Sequence, residues 1–346
     1  MKKVIIAMSG GLDSSVAAAL VKERGMEAIG VFMRLYPGSL RGSEKRARKV
    51  AKILGIPFYV LNFEKEFERK VIDYFLEEYK KGRTPNPCIV CNKEIKFGLL
   101  LKQAMALRAD FVATGHYARK QRTTNNEQRT KYKLLRGKDK GKDQSYFLWQ
   151  LNQEQLKHIL FPLGDYTKRE VRNLAKKFKL PVLDIPESQE ICFVKNNVND
   201  FLKKYLKEKP GDILNKDGRK IGRHQGLFFY TIGQRKGLNL PVGPWFVLGK
   251  DTKKNFLIVT KNEKDLLKKE LIAENLNWIS GKEPKLPLKV KAKIRYRHKV
   301  SSATIYHLKS NIYHLIFIKP QQAVTSGQSV VFYKGEELLG GGVICD

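Results

Sequence analysis

The apolar run Val4 to Met8 stops at Ser9-Gly10-Gly11-Leu12-Asp13-Ser14-Ser15, and a segment carrying Val16, Ala17, Leu20 and Val21 on one face follows, closed by Gly25. A short apolar run bounded by glycines reads as a buried strand, and apolar residues recurring every three or four positions read as a helix. A strand turning on two glycines straight into a helix commits the chain to a β–α unit, and the next hundred residues repeat it. Ala28 to Met33 is a second strand, Ser43 to Leu54 a basic helix ending at Gly55, Pro57 to Phe63 a third strand, and Lys65 to Lys81 a helix up to Gly82. The loop Arg83-Thr84-Pro85-Asn86-Pro87-Cys88 then precedes a helix over Lys93 to Leu107 and a strand over Phe111 to Thr114. This alternation predicts an α/β doubly wound parallel sheet, whose ligands gather beyond the carboxyl ends of the strands. Ser9 to Ser15, Met33 and Thr114 to His116 all lie at such ends.

The texture changes downstream. Arg119 to Lys142 carries ten Lys or Arg and two acidic residues, and reads as a flexible cationic segment. Thr167 and Glu170 form a T-x-x-E capping box ahead of Val171, Leu174 and Ala175. A Pro-containing loop, Pro186 to Gln189, leads to Ile191-Cys192-Phe193. Beyond about residue 205, Gly, Pro and short β-type runs replace long helices, and the last 75 residues read as a small β-barrel. A length of 346 residues fits two or three domains. The expected division is a catalytic domain over 1–204, a small central β-rich domain over 205–268 and a C-terminal β-barrel over 269–346. The apolar run at the start is too short for a signal sequence, and no segment approaches the roughly 20 apolar residues of a membrane span; the expectation is a cytoplasmic protein.

A glycine turn on a helix N-terminus suits phosphate oxygens, and Asp13 inside it suits Mg²⁺ held between carboxylate and phosphates. There is no G-K-[ST], so this is not the usual nucleotide P-loop. A structural β–α turn would look similar, but the full seven-residue string resembles the pyrophosphate loop of ATP pyrophosphatases, which implies ATP as cosubstrate. Lys and Arg number 67 against 34 Asp and Glu, a formal charge of +33. That excess points to a polyanionic partner, nucleic acid before membrane, with a well-solvated lysine-rich surface as the plain alternative. Lys289 to Lys299 places six cations at alternate positions, one face of a strand, which a phosphate backbone would relieve. Cys88 and Cys91 form C-x-x-C before a helix, where an N-terminus lowers a thiol pKa, and Cys192 follows a hundred residues on. Cys345 reads as an ordinary buried cysteine.

The ordered stretches M-S-G-G-L-D-S-S, R-T-P-N-P-C-I-V-C-N-K-E-I-K-F-G, A-T-G-H-Y, K-D-Q-S-Y-F-L, I-C-F, H-Q-G-L, T-I-G-Q-R-K-G-L and G-Q-S-V-V-F-Y span nearly the whole chain. Together they resemble the bacterial-type tRNA-specific 2-thiouridylases, whose catalytic domain is adenine nucleotide alpha-hydrolase-like. The resemblance implies a sulfurtransferase. ATP adenylates the 2-oxygen of the wobble uridine of tRNA, and a persulfide sulfur on Cys192 displaces AMP. Cys91 acts as partner nucleophile, closing a disulfide with Cys192. It implies ATP contacts from Ala7, Met8, Ser9, Gly10, Gly11, Leu12, Asp13, Ser14, Met33 and Gly115. It also implies tRNA contacts from Asn86, Pro87, Cys88, His116, Lys142, Asp143, Gln144, Arg295, Tyr296 and Gln328, and a sulfur-donor or sulfur-relay protein as partner. His116 reads equally as a satisfied histidine at a strand end.

One departure concerns Cys88. Many members carry Asp there, with a role at the target base. A thiol's reference pKa lies more than four units higher, so a simple exchange of roles does not follow. Cys88, Cys91 and Cys192 also suit an iron–sulfur cluster that binds sulfide at an open iron. Two readings of other classes stand beside thiolation: an amide ligase or synthetase on a small metabolite, which leaves the cysteines and the charge unexplained, and a non-enzymatic RNA-binding protein.

Overall fold

The computed structural model describes every residue except 38–40, 125–129, 186–190 and 346; the expected loop at Pro186 to Gln189 lies outside the described residues. The first strands and helices are β1 (Lys3–Ala7), α1 (Leu12–Glu23), β2 (Glu27–Arg34), α2 (Arg41–Leu54) and β3 (Phe58–Asn62). A continuous helical stretch follows, α3 (Glu64–Phe67), a π-type segment over Glu68–Ile72 and α4 (Asp73–Lys80). A second one comprises α5 (Pro87–Cys91), a π-type segment over Asn92–Leu99 and α6 (Leu100–Ala106), and β4 (Phe111–Ala113) comes next. After the antiparallel pair β5 (Ala118–Thr124) and β6 (Thr130–Arg136), the chain passes α7 (Gln153–Lys157) and returns as β7 (Ile159–Leu160).

The five-stranded sheet has the order β3-β2-β1-β4-β7, every pair parallel. Strand order reverses between β1 and β4, so the crevice at their carboxyl ends is the switch point where such sheets bind ligands. Val4 and Ile6 face one side, packing with Val16, Ala17 and Leu20 of α1; Ile5 and Ala7 face the other, with Val31, Phe67 and Phe75. That second cluster continues through Cys91, Phe193 and Leu202 into Ile213, Val247 and Leu257.

Beyond α8 (Lys168–Lys177) and α9 (Val198–Tyr205), β8 (Gly211–Asn215), β9 (Lys220–His224), β10 (Phe246–Asp251) and β11 (Phe256–Thr260) form a small sheet in the order β10-β11-β8-β9. The remaining strands are β12 (Leu267–Trp278), β13 (Leu288–Lys293), β14 (Ser301–Lys309), β15 (Ile312–Gln322), β16 (Ser329–Lys334) and β17 (Glu337–Ile344). Their order β12-β15-β14-β13-β16-β17, with β12 pairing β17 again, closes a six-stranded barrel. Its interior is filled by alternate residues such as Val290, Ala292, Ile305, Leu315 and Phe332.

Three expectations need correction. Where it is described, the cationic stretch after residue 118 forms the antiparallel pair β5–β6, and β6 pairs with β17, Leu134 opposite Leu338, so it extends the barrel's sheet; Leu134 is the buried anchor that its charged neighbours obscure. Cys88 and Cys91 are not in a loop before a helix but in its first turn, because Pro87 occupies the first helical position, where a missing N–H costs nothing. The row of cations over Lys289 to Lys299 is broken: β13 ends at Lys293, which is buried, and Arg295 turns inward.

Candidate active site

Gly10 makes the turn after β1 at φ +76°, and a Cβ there would lie 2.2 Å from the Ser43 carbonyl oxygen, so glycine alone satisfies both the conformation and the space. Gly11 caps α1 without a side-chain acceptor, which leaves the helix's first N–H groups to a ligand such as phosphate. The serines hold the loop itself. Ser9 N donates to Ser14 Oγ at 3.1 Å, and Ser15 Oγ donates to Gly11 O at 2.8 Å. Ala7, Met8 and Leu12 are buried beneath it, and Met33 stands half-buried near the end of β2. Gly115 closes the facing wall; a Cβ there would come 2.8 Å from Ser14 N.

Asp13 has partners that the sequence did not announce. Lys168 Nζ reaches its two oxygens at 2.7 and 2.9 Å, and Tyr117 Oη donates to Oδ1 at 2.8 Å. Lys168 opens α8, so the Thr167–Glu170 capping box, present on both sides, fixes the start of the helix that carries this lysine. Arg46 of α2 donates Nε to Gly10 O at 3.3 Å. Nothing in the string T-K-R-E distinguishes Lys168 from the many solvated lysines around it; only the fold brings it to the loop.

The cysteines converge from two segments. Cys88 is half-buried on the first turn of α5 and Cys91 is buried in the core, at 8% exposure. Phe193 anchors Cys192 by packing edge-on against Phe67 and Phe75, ring centroids at 5.7 and 5.3 Å, which leaves Cys192 itself exposed. Tyr36 Oη donates to the Cys192 carbonyl. The three are near enough for their charges to interact. Although Cys192 is exposed, the protein packed around it withdraws water from the thiol and, with the neighbouring thiols, raises it. Burial pushes Cys91 up to about 11 and raises Cys88. The helix N-terminus therefore does not prevail over burial, contrary to the sequence expectation: these thiols are protonated at neutral pH. Lys96 opposes the rise at all three. It follows Cys91 by five residues on the π-type turn, which stacks positions five apart. Among the described residues no group of three His, Cys, Asp or Glu side chains is set to hold a metal ion, so the three cysteines do not present a ready cluster site, and no step is drawn through one.

His116 joins the two halves. It follows Gly115, its ring lies 5.9 Å from that of Phe97 on the cysteine helix, and Lys96 is again within electrostatic reach. Thr114 Oγ1 bonds Nδ1 at 2.7 Å, and burial holds the imidazole well below its usual pKa, hence neutral.

Several residues expected at tRNA are engaged within the chain. Asp143 is buried, accepting from Arg136 Nε at 2.9 Å and from Gly137 N and Ser145 N. Gln144 Oε1 accepts from Tyr117 N at 3.0 Å, Arg295 Nη2 donates to Ala323 O at 2.9 Å, and Gln328 Nε2 donates to Thr84 O at 2.7 Å. Lys142 and Tyr296 are half-buried, and the Tyr296 ring stands 4.4 Å from Phe147. Asn92, next to Cys91, donates Nδ2 to Phe147 O at 3.1 Å, tying the cysteine helix to that wall. Asn86 caps α5 and Pro87 is buried. Cys345, expected to be buried, is only half-buried; its N–H donates to Ile272 O and continues the β-ladder.

Three family models match consecutive parts of the chain. They are a tRNA methyl transferase HUP domain over residues 2–196, a tRNA methyl transferase PRC-barrel domain over 199–261 and an aminomethyltransferase beta-barrel domain over 268–344. Among full-length relatives, the tRNA-specific 2-thiouridylase MnmA of Carboxydothermus hydrogenoformans is 47% identical, covering 99% of this chain and 97% of that protein. That of Moorella thermoacetica is 49% identical over 98% of each, and that of Clostridioides difficile 47% over 99% and 98%.

Proposed function

This chain belongs to the tRNA-specific 2-thiouridylase family, and from that membership we propose that it uses ATP to replace the 2-oxygen of the wobble uridine of tRNA with sulfur. The descriptions of the matching domains speak of methyl transfer; the full-length relatives, and the C-x-x-C pair with Cys192, favour sulfur. One observation carries the reading. Gly115 and His116 form a single wall that touches the glycine loop on one side and, through Phe97, the cysteine helix on the other. Activation and sulfur delivery thus share one crevice. The proposed domain division, 1–204, 205–268 and 269–346, puts that crevice in the first part.

In this reading residues Ala7 to Ser14, with Met33 and Gly115, take ATP. Asp13 would hold a Mg²⁺ ion that offsets charge on the polyphosphate, sharing with it a carboxylate whose two oxygens Lys168 and Tyr117 already bond. The uridine 2-oxygen attacks the α-phosphorus, pyrophosphate leaves, and a poor leaving group becomes AMP. Exposure fits Cys192 for loading by a sulfur-donor protein, and burial keeps Cys91 from that donor. The terminal persulfide sulfur bonds C2 as AMP departs. The Cys91 thiol then attacks Cys192 Sγ, its proton passing to the thiouridine, and the disulfide forms while the sulfane bond breaks and its electron pair leaves with the thiouridine. Asn86 to Cys88, with His116, Lys142, Arg295, Tyr296 and Gln328, are the positions offered to the tRNA, and Asp143 and Gln144 support them through their bonds to Arg136 and Tyr117. Cys88, protonated at neutral pH, serves there as a hydrogen-bond donor and not as a base.

The test is nucleoside mass spectrometry of tRNA treated with protein, ATP and a persulfide donor. Cys192→Ser is expected to abolish 2-thiouridine yet keep tRNA-dependent pyrophosphate release. Thiolation surviving that substitution would overturn the assignment. Iron and acid-labile sulfide in anaerobically purified protein, with activity lost on their removal, would replace the persulfide by a cluster.

A further inference from the structure

The short segment Gly82-Arg83-Thr84 precedes the cysteine helix and is held by parts of the chain far from it in sequence. Every polar group of Thr84 is claimed from outside. Its N–H donates to Ser326 O at 2.9 Å, its carbonyl accepts from Gln328 Nε2 at 2.7 Å, and its hydroxyl meets that of Thr231 at 3.2 Å. Lys250 Nζ donates to Gly82 O at 2.8 Å. Arg83 reaches Glu274 of β12 at 3.4 Å. Gly327, at φ +89°, lets the barrel come close enough that a Cβ there would stand 3.0 Å from Thr84 N. Pro85 and Asn86 alone separate this joint from Pro87 at the start of α5, and both prolines fix φ. A shift of Thr84 therefore passes with little slack to Cys88 and Cys91.

We propose that Thr231, Lys250 and Gly327 are positioning residues for sulfur transfer: with Thr84 they form a clasp through which the small sheet and the barrel set the cysteine helix against Cys192. Burial bears on Lys250 as well, pulling its amine down to about 8; a lysine desolvated to satisfy one carbonyl is held there by the fold, not by solvent. The nucleotide loop lies outside the clasp, since α2, α8 and Tyr117 hold it. This inference rests on the thiolation reading, and its experiment separates the two.

Thr231→Val, Lys250→Met and Gly327→Ala are compared with wild type in two assays. In the first, kcat for 2-thiouridine formation is expected to fall tenfold or more, with Kd for tRNA and for ATP within twofold; Thr231→Ser, which restores the hydroxyl, returns to within twofold. In the second, which needs neither tRNA nor ATP, closure of the Cys91–Cys192 disulfide in a glutathione buffer is expected to slow at least fivefold. Should Gly327→Ala not fold, the near-isosteric Thr231→Val decides. Unchanged kcat and unchanged closure in Thr231→Val and Lys250→Met overturn the clasp, as does a loss confined to tRNA Kd. A wild type that makes no 2-thiouridine while closure still slows in the variants sinks thiolation and leaves the clasp standing.

Discussion

Lys168 decides how the charged loop behaves before a nucleotide arrives. Its ammonium is largely shielded and straddles both Asp13 oxygens, so the carboxylate is not left facing an incoming polyphosphate unpaired. Lys168→Met removes that partner and a cation beside the phosphate site together. The expected result is weaker ATP binding by at least tenfold, with tRNA affinity unchanged, read by equilibrium binding of each; equal ATP affinity would show that the lysine serves only the fold. The thiols give a second residue-scale expectation. Burial raises Cys91 in the folded state to about 11. The stability that this neutral thiol contributes is therefore complete below the unfolded thiol pKa and lost as pH climbs through that value. Lys96 opposes the rise, so Lys96→Met moves the pH midpoint of Cys192 alkylation further alkaline, measured by mass spectrometry of the labelled peptide; an acid shift or none contradicts the placement of Lys96. His116 has the opposite sign. Neutral in the fold, it favours the unfolded chain as pH drops below about 6.5.

At the scale of elements, the sequence was most informative where periodicity and capping chemistry agree. The T-x-x-E signal at Thr167 became a complete capping box, and strand–helix alternation became the parallel sheet. A cap of this kind contributes about 1 kcal/mol. Here it also orients the lysine, so Thr167→Ala is expected to lower stability by about that amount and to weaken ATP binding beyond what a distant substitution of equal stability cost would do, checked by pairing denaturation with nucleotide titration. Legibility failed where a side chain's role depends on what lies across the molecule. Leu134 and Leu338 anchor a strand pair whose charged flanks read as a flexible segment. Lys293 and Arg295 alternate as a strand face should, but β13 stops between them because Arg295 finds carbonyl acceptors at Ile232 and Ala323. The π-type turn after Cys91 has no signature in composition, and it carries Lys96, which lies within electrostatic reach of the thiols. Asp143 and Gln144 were found as a motif, yet their bonds to Arg136 and Tyr117 emerge only once the β5–β6 pair is built.

Over the whole molecule, 67 basic residues against 34 acidic ones make affinity for a polyanion the dominant long-range property. Asn92 ties the cysteine helix to Phe147, whose ring meets Tyr296, and the exposed Arg297 and Lys299 follow Tyr296 in the chain. Phosphate contacts supply affinity without sequence choice, and choice requires the wobble base to leave its stack and enter the crevice. The two contributions separate by salt. A contact set of about six phosphates gives a slope of log K against log salt of roughly −4 to −5. Arg297→Ala and Lys299→Ala are each expected to flatten that slope by about one unit, equally for tRNAs with and without a wobble uridine, while kcat at saturating tRNA holds. Tyr296→Ala should do the reverse, leaving the slope and lowering kcat, since an aromatic face contributes through stacking, which salt screens little. Filter binding across a salt series with each variant measures this. A slope near zero in the wild type would mean that the excess charge merely solvates the surface, and the route from barrel to crevice would then have to be found on another face.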